Sequence, residues 1–260
     1  MLVFAEFLIF HSTNNTQILK AMKKYILISA IAVLAMLNIS ASTNEQLANY
    51  ENVKANILSK QSVFANAYLK ENNIAKKDSI VLAASSFLEK TLVEDVFPQW
   101  YGTGWDFNGV SQIPKKGDIA CGYFISTTLK QAGLQVDRCK LAQQGAMEIC
   151  TSLSGKNNAV LNKGKTEIET INFIKANLKN GLYIMGFSNH VSFLHKKGKS
   201  INIIHSNYIS DKVESDDFAT SSILAWNNPV VFAPILPNKS FVINWLTKSS
   251  IKINLTKINK

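Results

Sequence analysis

Apolar positions along the chain first recur at helical spacing and later alternate. Leu47, Tyr50, Ile57 and Leu58 follow helical spacing, with Lys54 as a polar break. Ser42-Thr43-Asn44-Glu45 ahead of them has the S-x-x-E form of a capping box. A second helix is expected from Asp78 as N-cap, carrying Val81, Ala84, Leu88 and Leu92 on one face and ending before Pro98. A third is expected near Cys121, where Phe124, Ile125, Thr128, Leu129 and Ala132 share a face and Gly133 suits the position past the end. Residues 138 to 150 read as another short helix. Thr166-Glu167-Ile168-Glu169 caps one that carries Ile168, Ile171, Ile174 and Leu178 and stops at Gly181. Beyond it, Leu182 to Phe187, His190 to His195, Ser200 to Ser206 and Pro229 to Ile235 read as strands. Helices first and strands later predict an α+β domain with a mainly antiparallel sheet.

Between the second and third helices the character changes. Trp100, Tyr101, Trp105 and Phe107 crowd together with Gly102, Gly104 and Gly109, bracketed by Pro98 and Pro114. Such a stretch is either a packed irregular segment or the wall of a binding cleft. There is no internal repeat, low-complexity tract or long linker. Residues 42–260 are therefore expected to form a single domain with a helical N-terminal part over 42–96.

Composition narrows the class. With 47% hydrophobic and 18% charged residues the chain can bury a sizeable core. No apolar run approaches the roughly 20 residues of a spanning helix. The net charge of +10 comes mostly from scattered lysines. No basic helix with interleaved aromatics accompanies them, so a solvated basic surface is expected and no nucleic-acid partner. Such a surface also suits a polyanionic cell envelope. The absence of CxxC, HExxH and GxxxxGK[ST] argues against a zinc ribbon, a zincin or a P-loop enzyme, and no metal or organic cofactor is expected.

The segment from Met22 has the layout of a secretory signal peptide: Lys23-Lys24, an apolar stretch from Ile26 to Leu37, then a small-residue cleavage site ending at Ala41. Residues 1–41 are accordingly expected to be a leader and signal peptide, with translation starting at Met22. No cysteine follows for a lipid anchor. The expected destination is the periplasm or the cell exterior, with no membrane span after the signal is removed.

Cys121 is the first candidate for chemistry. At a helix N-terminus the free N–H groups and the dipole favour a thiolate, by about 2 kcal/mol at best. At about 1.36 kcal/mol per pKa unit, this alone does not ionise a thiol at neutral pH. A nucleophilic Cys121 needs a histidine beside it to form a thiolate–imidazolium pair; the alternative is a buried structural cysteine. Lys196-Lys197-Gly198-Lys199 reads as a tight turn between two strands. Loops at 197–198 or 196–199 both give paired positions summing to 395, which sets His190 opposite His205. Alternation puts His195 on the other face. No third ligand has the spacing to make the pair a metal site, so a base held by a second polar group fits better. Cys139 and Cys150 would be about 16 Å apart on one helix, beyond disulfide reach, and close only if that helix is broken.

These residues resemble a known family. Ile119-Ala120-Cys121-Gly122-Tyr123-Phe124, Asn189-His190-Val191-Ser192-Phe193, Ile204-His205-Ser206 and the upstream Tyr101-Gly102-Thr103-Gly104-Trp105 are similar to the NlpC-like cell-wall cysteine peptidases of the papain superfamily, over roughly residues 97–210. The nucleophile motif departs from the family's usual Asp-Cys-Ser-Gly, reading Ala120-Cys121-Gly122-Tyr123 here. The resemblance implies a papain-like fold with Cys121 as nucleophile, His190 as general base and His205 as the polar group that orients it. It implies an oxyanion hole formed partly by the Cys121 N–H, with Gln112 as a side-chain donor. The implied activity is that of a thiol protease or amidase working through an acyl-thioenzyme, with peptides or peptidoglycan stem peptides as substrate. The alternative is an envelope binding or structural protein on the same scaffold with an inactive site.

Overall fold

A computed structural model describes residues 45–164, 166–221, 223 and 230–253, together with 23, 24 and 27. The chain divides into two units, Met1–Asn49 and Tyr50–Lys260, where the sequence suggested a boundary after Ala41. Within the first unit, 23, 24, 27 and 45–49 are helical. The rest of the signal layout and the Ser42 cap lie outside the described residues. Among the described residues no helix is long and apolar enough to cross a membrane.

The second unit opens with helix α1 over 50–70, which buries Tyr50, Ile57 and Ala65. Helix α2 (Ile74–Thr91) begins five residues before the expected start, its N-cap being Asn73 and not Asp78. The reason is Asn73, whose side chain accepts the Lys76 N–H at 3.1 Å and so takes the capping role given to Asp78. Pro98 does not end the helical run. A π-helical turn, Leu92–Val96, leads into the short α3 (Phe97–Trp100). Pro98 falls in the first turn of α3, where its missing N–H costs little. Trp100 at its end is buried and donates its indole N–H to Tyr50 Oη at 2.9 Å.

Helix α4 (Cys121–Gln131) follows the expected face: Phe124, Ile125, Thr128 and Leu129 are buried. The helix expected over 138–150 is two, α5 (Arg138–Ala142) and α6 (Ala146–Ser154), parted at Gln143-Gln144-Gly145. Even so, the break does not bring the cysteines together. Cys139 is exposed, and Cys150 is buried under the sheet with its thiol 3.8 Å from the Ile184 carbonyl; all three cysteines are free thiols. Helix α7 (Glu167–Asn177) carries the expected capping box from Thr166 and Glu169, and α8 (Lys239–Thr247) closes the described chain.

The sheet has six antiparallel strands: β1 (Val160–Asn162), β2 (Gly181–Gly186), β3 (Val191–Lys197), β4 (Ser200–Asn207), β5 (Lys212–Asp217) and β6 (Val230–Leu236). They lie in the order β1-β6-β2-β3-β4-β5. The expected α+β class with an antiparallel sheet is therefore the one adopted, with β1 and β5 as added edge strands. Leu182, Ile184, Val191, Phe193 and Ile204 face the larger core, shared with Phe97, Phe124 and Trp245. Tyr183, Met185, Leu194, Ile203 and Phe232 face a smaller core with Ile174 and Leu178. Alternating strand residues fill two cores, so both faces of the sheet are covered.

The β3–β4 register differs from the expected one. Lys197 pairs with Ser200 and Phe193 with Ile204, so the loop is Gly198-Lys199 and paired positions sum to 397. Gly198 takes the first loop position with φ +62°. A lysine in that place would be strained, which sets the loop one residue beyond the expected 197–198 and the pairing two residues from the expected register. A shift of two preserves side-chain alternation.

Candidate active site

Two backbone arrangements bring the pieces together. The Phe187 N–H donates to the His190 carbonyl at 2.8 Å, closing a tight connection from β2 that delivers His190 immediately before β3. On the other side, the glycine-rich stretch threads between β5 and the approach to α4. Gly102 N–H donates to Val213 O at 2.8 Å, Ile119 N–H to Gly104 O at 2.9 Å and Ala120 N–H to Gly109 O at 2.9 Å. A Cβ at Gly109 would stand 2.6 Å from the Ile119 nitrogen, so only glycine fits there. Ser206 on β4 donates to the Ile119 carbonyl at 2.5 Å. The two readings of the aromatic stretch thus both hold: Trp100 is packed inside, while Trp105 and Phe107 line a cleft.

That cleft has a volume of about 550 Å³ and holds Cys121 and His190 in its lining. Cys121 begins α4 after Ala120, which is extended and offers no side-chain cap. The first N–H groups of the helix are therefore free to act on the sulfur. Burial pushes the Cys121 thiol up; the N–H of Val191, then those of Gly122 and Cys121 itself, pull the other way. The Val191 contact matters for geometry, because it sets the sulfur against the residue next to His190. Gly122 is required for a different reason. A Cβ there would lie 2.5 Å from the Ala142 carbonyl oxygen, so α4 and α5 approach each other through it.

His190 and His205 are both buried, and His190 Nε2 lies 2.9 Å from His205 Nδ1. The pairing expected from alternation is therefore made, although the register gives His190 no direct cross-strand partner in β4. The His205 ring continues to Asp216, with Nε2 to Oδ2 at 3.3 Å. Asp216 also accepts from Ser221 Oγ at 3.1 Å and is held below the usual carboxylate range, chiefly by its hydrogen bond to His205. His195 lies apart, pairing with Glu89 on α2 at 3.1 Å.

With both rings neutral, this chain of contacts sets the proton positions. A carboxylate only accepts, so His205 carries its proton on Nε2 and presents a lone pair at Nδ1. His190 must then donate from Nε2, which leaves Nδ1 as its lone pair. That Nδ1 is buried and has no hydrogen-bond partner. Cys121 and His190 both line the cleft, and no hydrogen bond joins the thiol to this Nδ1. Burial, and then the neighbouring His205, hold the His190 imidazole well below the ordinary histidine range. Both shifts favour a neutral thiol beside a neutral imidazole at rest, where the sequence suggested a thiolate–imidazolium pair.

Asp216 was not among the expected residues. It lies on β5, whose Lys212-Val213-Glu214-Ser215-Asp216-Asp217 carries one apolar residue and reads as an acidic loop. Gln112, expected in the oxyanion hole, is exposed and outside the cleft, and its carbonyl accepts from Gln131 at 2.8 Å. Proline at 114 and the turn after it carry Gln112 away from the nucleophile. His205, Glu214 and Asp216 bring three metal-ligating atoms within 4.8 Å of one another. Each is already engaged: His205 with Asp216, Asp216 with Ser221, and Glu214 with Asn207 at 2.7 Å and Ser210 at 2.6 Å. No protein-family model, curated protein or solved structure matches this chain, so the reading of the cleft rests on its own geometry.

Proposed function

We propose that this chain is a cysteine hydrolase that cleaves amide bonds through an acyl-thioenzyme, with Cys121 as nucleophile, His190 as base, and His205 and Asp216 as the groups that orient the base. The observation that carries the reading is that His190, which lines the same cleft as Cys121, keeps a buried Nδ1 with no hydrogen-bond partner while its Nε2 meets the His205–Asp216 relay. A buried nitrogen lone pair without a partner is costly as structure alone. As a general base it has a use.

In the reaction the Cys121 sulfur attacks the acyl carbon while its proton passes to His190 Nδ1. The carbonyl electron pair moves onto oxygen, towards the free N–H groups that begin α4. The resulting imidazolium still donates from Nε2 to His205, and the Asp216 carboxylate lies beyond it as the compensating charge. Collapse re-forms the carbonyl and breaks the C–N bond, and His190 returns its proton to the leaving amine. Water then adds to the thioester, giving its proton to His190. The C–S bond breaks, the sulfur takes the proton back, and the acid departs.

The resemblance to NlpC-like, papain-superfamily peptidases supports peptides of the cell wall as substrates, and the signal layout at 22–41 supports a periplasmic or secreted location. Digestion of purified peptidoglycan by the protein, compared with Cys121→Ala, tests the reading. New amine termini with the wild-type chain and none with the variant are expected. Cleavage that survives Cys121→Ala refutes it. N-terminal sequencing of the exported protein tests the location, with a start at or near Ser42 expected.

A further inference from the structure

The cleft's lining is unusual in its charge. Among the described residues none of its side chains is a lysine, arginine, aspartate or glutamate, in a chain with 28 basic and 18 acidic residues. Its walls are Trp105, Phe107, Val110, Tyr123, Ile149 and Tyr208, and its polar lining is neutral, from Asn108, Gln143, Gln144 and Asn189. Arg138 lies over the Tyr123 ring at 4.6 Å but outside the lining. Its guanidinium is occupied by neutral oxygens of Thr127, Val110 and Ser111, at 2.6, 2.6 and 3.1 Å. At the mouth, Phe107 is 79% exposed and Val110 is 52% exposed. These are apolar surfaces held in water beside a reactive cysteine.

From this lining we infer that the substrate group seated next to the scissile bond is uncharged and apolar, with amide groups for the neutral donors and acceptors to grip. The inference rests on the proposed acyl-thioenzyme reading and narrows its substrate. A carboxylate or ammonium brought into this cleft would give up water and find no counter-charge among the lining side chains, with only Glu148 close behind Gly145, where it would repel an anion. Apolar side chains, in contrast, would cover Phe107, Val110 and Trp105 and gain from it. For a wall substrate this selects stem peptides whose carboxylate beside the cut is amidated over those in which it is free.

The test uses the full-length chain and N-acetyl dipeptide coumarin amides that differ only in the residue before the scissile bond: leucine, lysine or aspartate. Two synthetic stem peptides, one amidated and one with the free carboxylate, form a second pair. Initial rates give kcat/KM, and intact-protein mass reports acylation of Cys121. Leucine should exceed lysine and aspartate by roughly 100-fold, and the amidated stem peptide should be preferred in the same direction. Val110→Lys and Phe107→Lys sit on exposed positions that tolerate charge. Each should raise the aspartate-to-leucine ratio about 10-fold or more. Lysine or aspartate substrates acylating Cys121 within about threefold of leucine overturn the inference and leave the hydrolase reading standing. A ratio unmoved by both lysine variants also overturns it. If no member of either set acylates Cys121, the hydrolase reading itself falls, and the inference with it.

Discussion

In the proposed reaction the base is oriented from Asp216, a residue that does not line the cleft. Cys121→Ala and His190→Ala should each lower turnover about 10⁴-fold, and the double variant little further, because the two act as one unit. His205→Ala should lose less, and His205→Asn or His205→Gln should recover part of it, since an amide oxygen also accepts the His190 N–H. Asp216→Asn is the more telling change. If its amide donates to His205, the proton of His205 moves to Nδ1 and that of His190 also to its Nδ1, removing the lone pair the base would use. A loss on the order of 10-fold to 100-fold in kcat is expected. Nitrogen-15 spectra should show His190 changing from Nε2–H to Nδ1–H, a shift that a merely structural role would not produce. The start of a helix at Cys121 and the closeness of His190 to His205 were legible from helix-start and alternation arguments, both of which are local. Asp216 was not, because the partner that defines it, His205, is eleven residues away on another strand. Gln112 came from the family resemblance alone, and the structure leaves it exposed and outside the cleft.

Among elements, α4 and α5 approach each other closely beside the nucleophile. Gly122 stands where the resembling family has serine, and its missing Cβ is what lets the Ala142 carbonyl approach. Gly122→Ser should therefore displace α5 or open the start of α4, at a cost of about 2 kcal/mol or more in urea unfolding. Gly102→Ala, at a glycine with open space around it but φ +84°, should cost only the backbone strain of about 1 kcal/mol. The long, periodic elements could be read from the sequence. Their edges could not, because single side chains decide them. Asn73 starts α2, Gly145 divides α5 from α6, and Gly198 sets the β3–β4 register. The pairing was off by two residues, and His190 and His205 still meet because alternation repeats every two.

At the scale of the whole molecule, the buried imidazole makes folding sensitive to mild acid. An unfolded histidine binds a proton below about pH 6.5, which the folded chain refuses at His190 because its value is held well lower. Below that pH the unfolded chain therefore holds more protons, and stability falls as pH falls from about 6.5 through the folded value. Asp216, held below the usual carboxylate range, adds a loss in the same direction at still lower pH. Urea midpoints measured at pH 7.5 and 5.0 should differ for the wild-type chain and differ less for His190→Phe. The tryptophans offer a separate handle on the same molecule. Trp100 and Trp245 are fully buried and hydrogen-bonded, to Tyr50 Oη and to the Ala132 carbonyl at 2.7 Å, whereas Trp105 stands in the cleft wall 6.0 Å from the Tyr208 ring. Emission from the first two should change only when the core melts. Emission from Trp105 should shift to shorter wavelength whenever an apolar group fills the cleft, and Trp105→Phe should abolish that shift, so the protein carries its own optical reporter of occupancy.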